Sequence, residues 1–184
     1  MNKTSPELIK NFSNAEKLFS QGKYREAIRK YKKILISYPN LIIAVNNIGL
    51  CYEHLNQLED SIECYKKCSI TIPKEKIFIN NIANIYYKKK DYNNSIKELE
   101  KSLLIDDSQT EIIEKTADCL LKLNLKDKAH LFFQKYIKKI PNSTLLNTFY
   151  GKNLIALNKH KEGLEFLRKG TGFIEFNENK VNII

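Results

Sequence analysis

The sequence repeats itself every 34 residues, from about Leu8 to Phe176, without an insertion or a deletion. Two columns of this repeat hold only small residues, which are Ala15, Gly49, Ala83, Ala117 and Gly151 in the first and Ala27, Ser61, Ser95, Ala129 and Gly163 in the second. Two further columns, beginning at Leu18 and Tyr31, hold large apolar residues, and proline recurs in a fifth. Chance does not keep five columns in register, so the chain consists of five copies of one unit that stack to bury their apolar faces.

Each copy has the pattern of two helices. In the second copy, the apolar residues Val45, Ile48 and Tyr52 recur at intervals of three and four, which predicts a helix from Ile42 to about Leu55. A short polar turn follows, and a second helix is predicted from about Glu59 to Thr71. Proline near its end stops it, and the small columns indicate where the two helices of a pair cross closely.

The chain resembles the tetratricopeptide repeat over nearly its whole length. The resemblance rests on these columns and on the stretches at 22–28 and 91–96. The resemblance implies an all-α fold, a right-handed α-solenoid of antiparallel helix pairs. We expect an N-terminal extension at 1–7 and a single domain at 8–176. The repeats are then 8–41, 42–75, 76–109, 110–143 and 144–176.

The C-terminal tail is apolar, and a terminal repeat leaves an apolar flank that needs cover. We expect residues 177–184, together with 173–176, to fold back over the fifth repeat. The alternative is that the tail pairs with another chain. The chain also departs from the family in one column, because the aromatic residue expected early in each first helix is replaced by Asn11, Val45, Ile79, Ile113 and Asn147.

The resemblance implies a non-enzymatic scaffold or adaptor whose first helices line a concave groove that binds an extended segment of a partner protein. A side-chain amide both donates and accepts, so it can hold a peptide backbone of any sequence. The groove amides are Asn46, Asn47, Asn80, Asn81 and Asn84. The alternative is that an asparagine-rich chain places asparagine on any solvated helix face.

Two other groups complete the expected groove. The apolar pockets are predicted at Phe12, Phe19, Leu50 and Tyr87. An acidic strip that could meet positive charge consists of Glu111, Glu114 and Asp118, although acidic residues also suit a solvated helix start. The family's clamp for C-terminal carboxylates is not predicted, since its basic positions hold Phe12, Ile77 and Asn81.

The net charge of +10 makes nucleic acid or another anion an alternative partner. A lysine column on the second helices consists of Lys33, Lys67, Lys101, Lys135 and Lys169. Only three of the 31 basic residues are arginine, the residue that best reads phosphate and bases, so binding of nucleic acid is disfavoured. Salt separates the two hypotheses, because phosphate binding weakens steeply as salt rises.

No catalytic motif and no cofactor-binding motif is found, so we expect neither enzymatic activity nor a cofactor. Cys51, His54, Cys64 and Cys68 match a zinc site by count alone, but their columns belong to the packing side, and we expect no metal. The sequence shows no secretory signal and no run long enough to span a membrane. We therefore expect a cytoplasmic protein with reduced thiols and no membrane partner; the sequence does not define the oligomeric state.

Overall fold

The computed structural model describes residues 5–172 together with the backbone of 174–177 and 180–183. In this part of the chain, ten helices follow one another as five pairs. They are α1 (Pro6–Ser20), α2 (Tyr24–Ser37), α3 (Ile42–His54), α4 (Leu58–Thr71), α5 (Lys76–Lys88), α6 (Tyr92–Ile105), α7 (Thr110–Lys122), α8 (Lys126–Tyr136), α9 (Thr144–Ala156) and α10 (His160–Thr171). The all-α repeat of helix pairs is thereby confirmed, and α3 and α4 begin and end within one residue of the predicted bounds.

The tail adds an element that the sequence did not predict. Strands β1 (Ile174–Asn177) and β2 (Lys180–Ile183) pair antiparallel, with Ile174 opposite Ile183. The side chains of 173–184 lie outside the described residues, as do residues 1–4 of the expected N-terminal extension. The covering role of the tail therefore stays a prediction.

The first helix of every pair ends in a left-handed residue at the same repeat position. These residues are Gly22, Asn56, Lys90, Asn124 and Asn158, with φ between 55° and 74°. The next backbone N–H then bonds back to the helix, for example from Lys23 to the carbonyl of Leu18 at 2.9 Å. This arrangement closes the helix end and turns the chain into the second helix, and it suits glycine and asparagine best.

The small residues lie where the helices of a pair cross, as predicted. A side chain added at Gly151 would come within 2.7 Å of the Gly163 carbonyl oxygen. In the second pair, the buried hydroxyl of Ser61 donates to the Gly49 carbonyl at 2.8 Å. Larger side chains at these positions would separate the helix axes.

The chain packs as two compact units, Met1–Ile85 and Tyr86–Ile184, and the division falls within α5. The core of unit 1 contains the almost fully buried Tyr31 and Tyr65. The core of unit 2 contains Leu99, Phe133 and Leu154, which are also fully buried. Each unit presents its own candidate surface.

Candidate functional site

An exposed isoleucine occupies the same repeat position on three successive first helices of unit 1. Ile9 on α1, Ile43 on α3 and Ile77 on α5 expose 58%, 53% and 51% of their surface. Single exposed aliphatic residues are common, but an exposed isoleucine at the same repeat position on each of these three first helices forms a row. We call this set the isoleucine row.

A shallow apolar depression of about 320 Å³ lies beside this row, between α1 and α3. Its lining residues are Leu8, Ile9, Phe12, Ser13, Glu16, Leu41 and Ile43. Phe12 forms one wall and meets the ring of Tyr31 edge to face, with the ring centroids 5.4 Å apart. Phe12 therefore lines this depression and also packs against the core; its role in ligand binding stays a prediction.

The amides of α3 are partly used inside the protein. Asn47 Nδ2 donates to the hydroxyl of Tyr31 at 3.1 Å, and Asn47 Oδ1 accepts from Asn46 Nδ2 at 3.3 Å. The buried Oδ1 of Asn46 has no hydrogen-bond partner among the described residues. An unsatisfied acceptor at this position could accept a ligand N–H after a small rotation of the amide.

The other predicted groove residues of unit 1 are half-buried. Phe19 packs edge to face against Tyr24 and His54, with ring centroids 5.4 Å apart in each case. Phe19 thus belongs to an aromatic cluster rather than to an open pocket. Further half-buried residues on the first helices are Leu50, Asn80, Asn81 and Asn84.

In unit 2, the predicted Tyr87 and Asp118 contact each other. The Tyr87 hydroxyl donates a short hydrogen bond to the Asp118 carboxylate, and Lys122 Nζ lies 3.4 Å from the same carboxylate. The hydrogen bond to Asp118 raises the pKa of the Tyr87 phenol, and the Asp118 charge raises the pKa of Lys122. The ammonium groups of Lys115 and Lys122 both lie within 6 Å of the centroid of the Tyr87 ring.

The remaining acidic residues also have partners in the chain. Glu111 pairs with Lys115 at 3.1 Å, and Glu114 accepts a hydrogen bond of 2.5 Å from the Ser143 hydroxyl. The Glu111 side chain nevertheless remains largely exposed, so the acidic strip is partly neutralised rather than covered.

These side chains line a cavity of about 310 Å³ in unit 2. Its lining also includes Lys115 on α7 and Phe149 on α9, which were not predicted to belong to the groove. Both occupy the repeat position of Asn47 and Asn81, so the 34-residue column is the sequence signal that could have found them.

Three of the four cysteines, Cys51, Cys68 and Cys119, are buried, and Cys64 is half-buried. Burial raises the pKa of Cys51, Cys64, Cys68 and Cys119 to about 11. Within the described ranges, no three histidine, cysteine, aspartate or glutamate side chains come together in a metal-binding group. A protonated thiol is a poor zinc ligand, so the chemistry of this set does not favour metal binding.

The lysine column is largely engaged with neighbouring groups. Lys67 pairs with Glu63 and Lys101 with Glu98, each at 2.8 Å. The ammonium groups of Lys135 and Lys169 lie over the rings of Tyr136 and Phe166. The two ion pairs reduce the charge that Lys67 and Lys101 offer to a nucleic acid, whereas the ring contacts leave Lys135 and Lys169 charged.

None of the described helices is long and apolar enough to cross a membrane. The tetratricopeptide-repeat family model matches residues 43–69 and 78–109, which are most of the second and third copies. These two segments match the tetratricopeptide repeat.

Solved structures of MamA share this tetratricopeptide-repeat fold. One is 19% identical with a TM-score of 0.72, and the alignment covers 85% of this chain and 91% of that chain. A second MamA crystal structure is 18% identical with a TM-score of 0.75 and 90% coverage of both chains. A MamA RS-1 double mutant is 14% identical with a TM-score of 0.77, covering 92% of this chain and 96% of that chain. No curated protein matches the sequence.

Proposed function

We propose that this tetratricopeptide-repeat protein is a non-enzymatic scaffold that binds an extended segment of a partner protein on its first helices. The observation that carries the proposal is the isoleucine row beside the apolar depression of unit 1. Three half-exposed isoleucines at one repeat position offer regularly spaced contacts to apolar side chains of a ligand. Burying the exposed part of one isoleucine contributes about 1 kcal/mol.

The neighbouring amides supply the polar part of the interaction. Asn46 and Asn47 lie one turn along α3 from Ile43, where they can pair with the backbone of the segment. The unsatisfied Oδ1 of Asn46 is the acceptor that supports this role most directly. Asn80, Asn81 and Asn84 extend the same row of amides on α5.

Unit 2 has a charged surface of its own on its first helices. The exposed Glu111 carboxylate and the carboxylates of Glu114 and Asp118 favour a lysine or arginine on the ligand. Tyr87 and Phe149 provide rings against which the aliphatic stem of such a residue can pack. The unit 1 surface therefore suits an extended segment with spaced apolar residues, and the unit 2 surface suits a positively charged one.

The experiment selects peptides from a displayed random library on the wild-type protein and measures their affinity for two matched variants. Ile43→Gln changes the isoleucine row, and Ile70→Gln makes the same change on α4, at a residue that is 77% exposed. We expect Ile43→Gln to weaken the selected peptides by about tenfold, while Ile70→Gln leaves them within about twofold.

Circular dichroism confirms that both variants remain helical before their affinities are compared. Equal effects of the two substitutions, or no effect of either, contradict the proposal. A selection that yields only acidic peptides also contradicts the proposal, because such peptides would bind through general attraction to a basic protein.

A further inference from the structure

A second apolar surface lies in unit 2 on the second helices, away from the residues of the proposed peptide site. Leu104 on α6 and Leu131 on α8 expose 87% and 68% of their surface. Leu131 stands at a repeat position that holds a charged residue in the other four copies, which are Arg29, Glu63, Lys97 and Glu165. The fourth copy thus replaces a solvating charge with a large exposed hydrophobic residue.

The residue after Leu131 continues this change. Phe132 stands where the first copy has Lys30 and the third has Glu98. Its ring packs against Tyr136 with the centroids 4.6 Å apart. The fifth copy also has a phenylalanine, Phe166, at this position, so the exposed Leu131 is the residue that repeat packing does not explain.

Leu104 and Phe132 border a groove of about 350 Å³ between α6 and α8, which we call the α6–α8 groove. Its lining residues are Glu100, Leu103, Leu104, Phe132, Lys135 and Tyr136. Leu103 and Tyr136 are buried and form its floor, while Leu104 and Phe132 form its walls. A recessed apolar floor between two helices fits the apolar face of a third helix.

Two ion pairs connect the helices that border the groove. Glu100 on α6 pairs with Lys128 on α8 at 2.9 Å. Asp107, just after α6, pairs with Lys139, just after α8. Since each pair is neutral, the charge left at the rim of the groove is positive.

That positive charge comes mainly from Lys135. Its ammonium lies 4.8 Å from the centroid of the Tyr136 ring and forms no ion pair among the described residues. Lys138, one turn further along α8 and its continuation, is also exposed. A carboxylate on an occupant would complement these groups.

The net charge of +10 disfavours a second copy of this chain as the occupant, because two basic surfaces would be brought together. A lipid surface is disfavoured by shape, because the apolar floor is recessed between helices and a bilayer is broad. We infer that the α6–α8 groove binds an acidic amphipathic helix of a partner protein. This interaction is separate from the peptide binding proposed above.

The test uses two synthetic helical peptides of roughly 18 residues, about five turns each. Both carry leucines at i, i+3, i+4 and i+7, and they differ only in having glutamate or lysine on the polar face. Fluorescence anisotropy measures their binding to the full chain. We expect the acidic peptide to bind at least about tenfold more tightly than the basic one.

Four substitutions test where the peptide binds. Leu104→Gln is expected to weaken the acidic peptide by about tenfold, and Lys135→Gln to reduce its advantage over the basic peptide. Ile70→Gln is the matched control, because Ile70 occupies the repeat position of Leu104 in the second copy and is also highly exposed. Ile43→Gln, in the isoleucine row, is expected to leave this binding unchanged.

Several results would overturn the inference. One is equal binding of the acidic peptide to the Leu104→Gln and Ile70→Gln variants, and another is its loss on Ile43→Gln. The inference also fails if the acidic peptide does not bind and the protein instead sediments with phosphatidylserine vesicles. In that case the Leu104→Gln variant would no longer sediment with the vesicles. Leu104-dependent dimerisation in sedimentation velocity would likewise assign the groove to a second copy.

Discussion

At the scale of single residues, side chains that the sequence marks as ligand contacts also contact each other. Asn47 binds the Tyr31 hydroxyl, and Asp118 binds the Tyr87 hydroxyl. A repeat column gives the average environment of a position, so it identifies which residues share a surface. It does not show which neighbour satisfies a given polar atom, and the structure was needed for that.

The contact between Asn47 and Tyr31 gives a prediction on stability. Tyr31 is almost fully buried, so Asn47→Ala leaves its hydroxyl without this partner and is expected to cost about 1–2 kcal/mol of unfolding free energy. In a Tyr31→Phe background the same substitution is expected to cost clearly less, because no hydroxyl remains to be satisfied. Urea denaturation of the four proteins measures this coupling, and additive effects would show that the hydrogen bond contributes nothing.

The buried thiols give a prediction on pH dependence. Burial raises the pKa of Cys119 to about 11, whereas an unfolded thiol titrates near 8.5. Below pH 8.5 the contribution of this thiol to stability is therefore fully present, and it is lost as pH rises towards 11. We expect the unfolding free energy to fall between pH 9 and 11, measured by urea denaturation in steps of pH.

The matched variant for this prediction is Cys119→Ala. It removes one titrating thiol, so its unfolding free energy is expected to fall less steeply over the same pH range, whatever its stability at neutral pH. The slope of unfolding free energy against pH is the readout, because a simple packing defect would not change it. Identical slopes for the two proteins would contradict the assignment of Cys119 as a buried, protonated thiol.

At the scale of elements, the sequence predicts the helix pairs well because their signals are local and repeated. Apolar spacing and small crossing residues recur in every copy, proline recurs in three of the five, and α3 and α4 match their expected bounds. The fourth copy is the exception, since α8 ends at Tyr136, five residues before Pro141. The chain there continues in tight turns whose N–H groups at Lys139 and Ile140 bond to the Tyr136 carbonyl, a local alternative that periodicity does not reveal.

The turn between α5 and α6 carries a prediction of its own. Lys90 has φ 60°, while the other copies place glycine or asparagine in this left-handed conformation. Lys90→Gly is expected to be more stable than Lys90→Ala by about 1 kcal/mol, because only glycine avoids the Cβ clash. Thermal or urea unfolding compares the two variants, which remove the same charge; an alanine variant as stable as the glycine variant would contradict a left-handed requirement at this position.

At the scale of the whole molecule, the repeat period establishes the number of helix pairs and the family they resemble. The division into two compact units within α5 was not predicted, since the 34-residue period is uniform across it. The β-hairpin of the tail was also missed, because β2 lies beyond the last copy, which ends at Phe176, and no repeat column covers it. The exposed isoleucines share one repeat column, so the sequence groups them. The α6–α8 groove depends on the packing of particular side chains, which the repeat column does not show.

The central claim is that a partner segment lies on the first helices, and isoleucine methyl groups report on it directly. Ile9, Ile43 and Ile77 carry methyl probes on the proposed surface, and Ile36 and Ile70 carry them on the second helices. The measurement is a methyl NMR titration of the isoleucine-labelled protein with a peptide selected as above. We expect the signals of Ile9, Ile43 and Ile77 to shift on binding and those of Ile36 and Ile70 to stay in place. Shifts confined to Ile36 and Ile70, or spread equally over all five, would contradict the account.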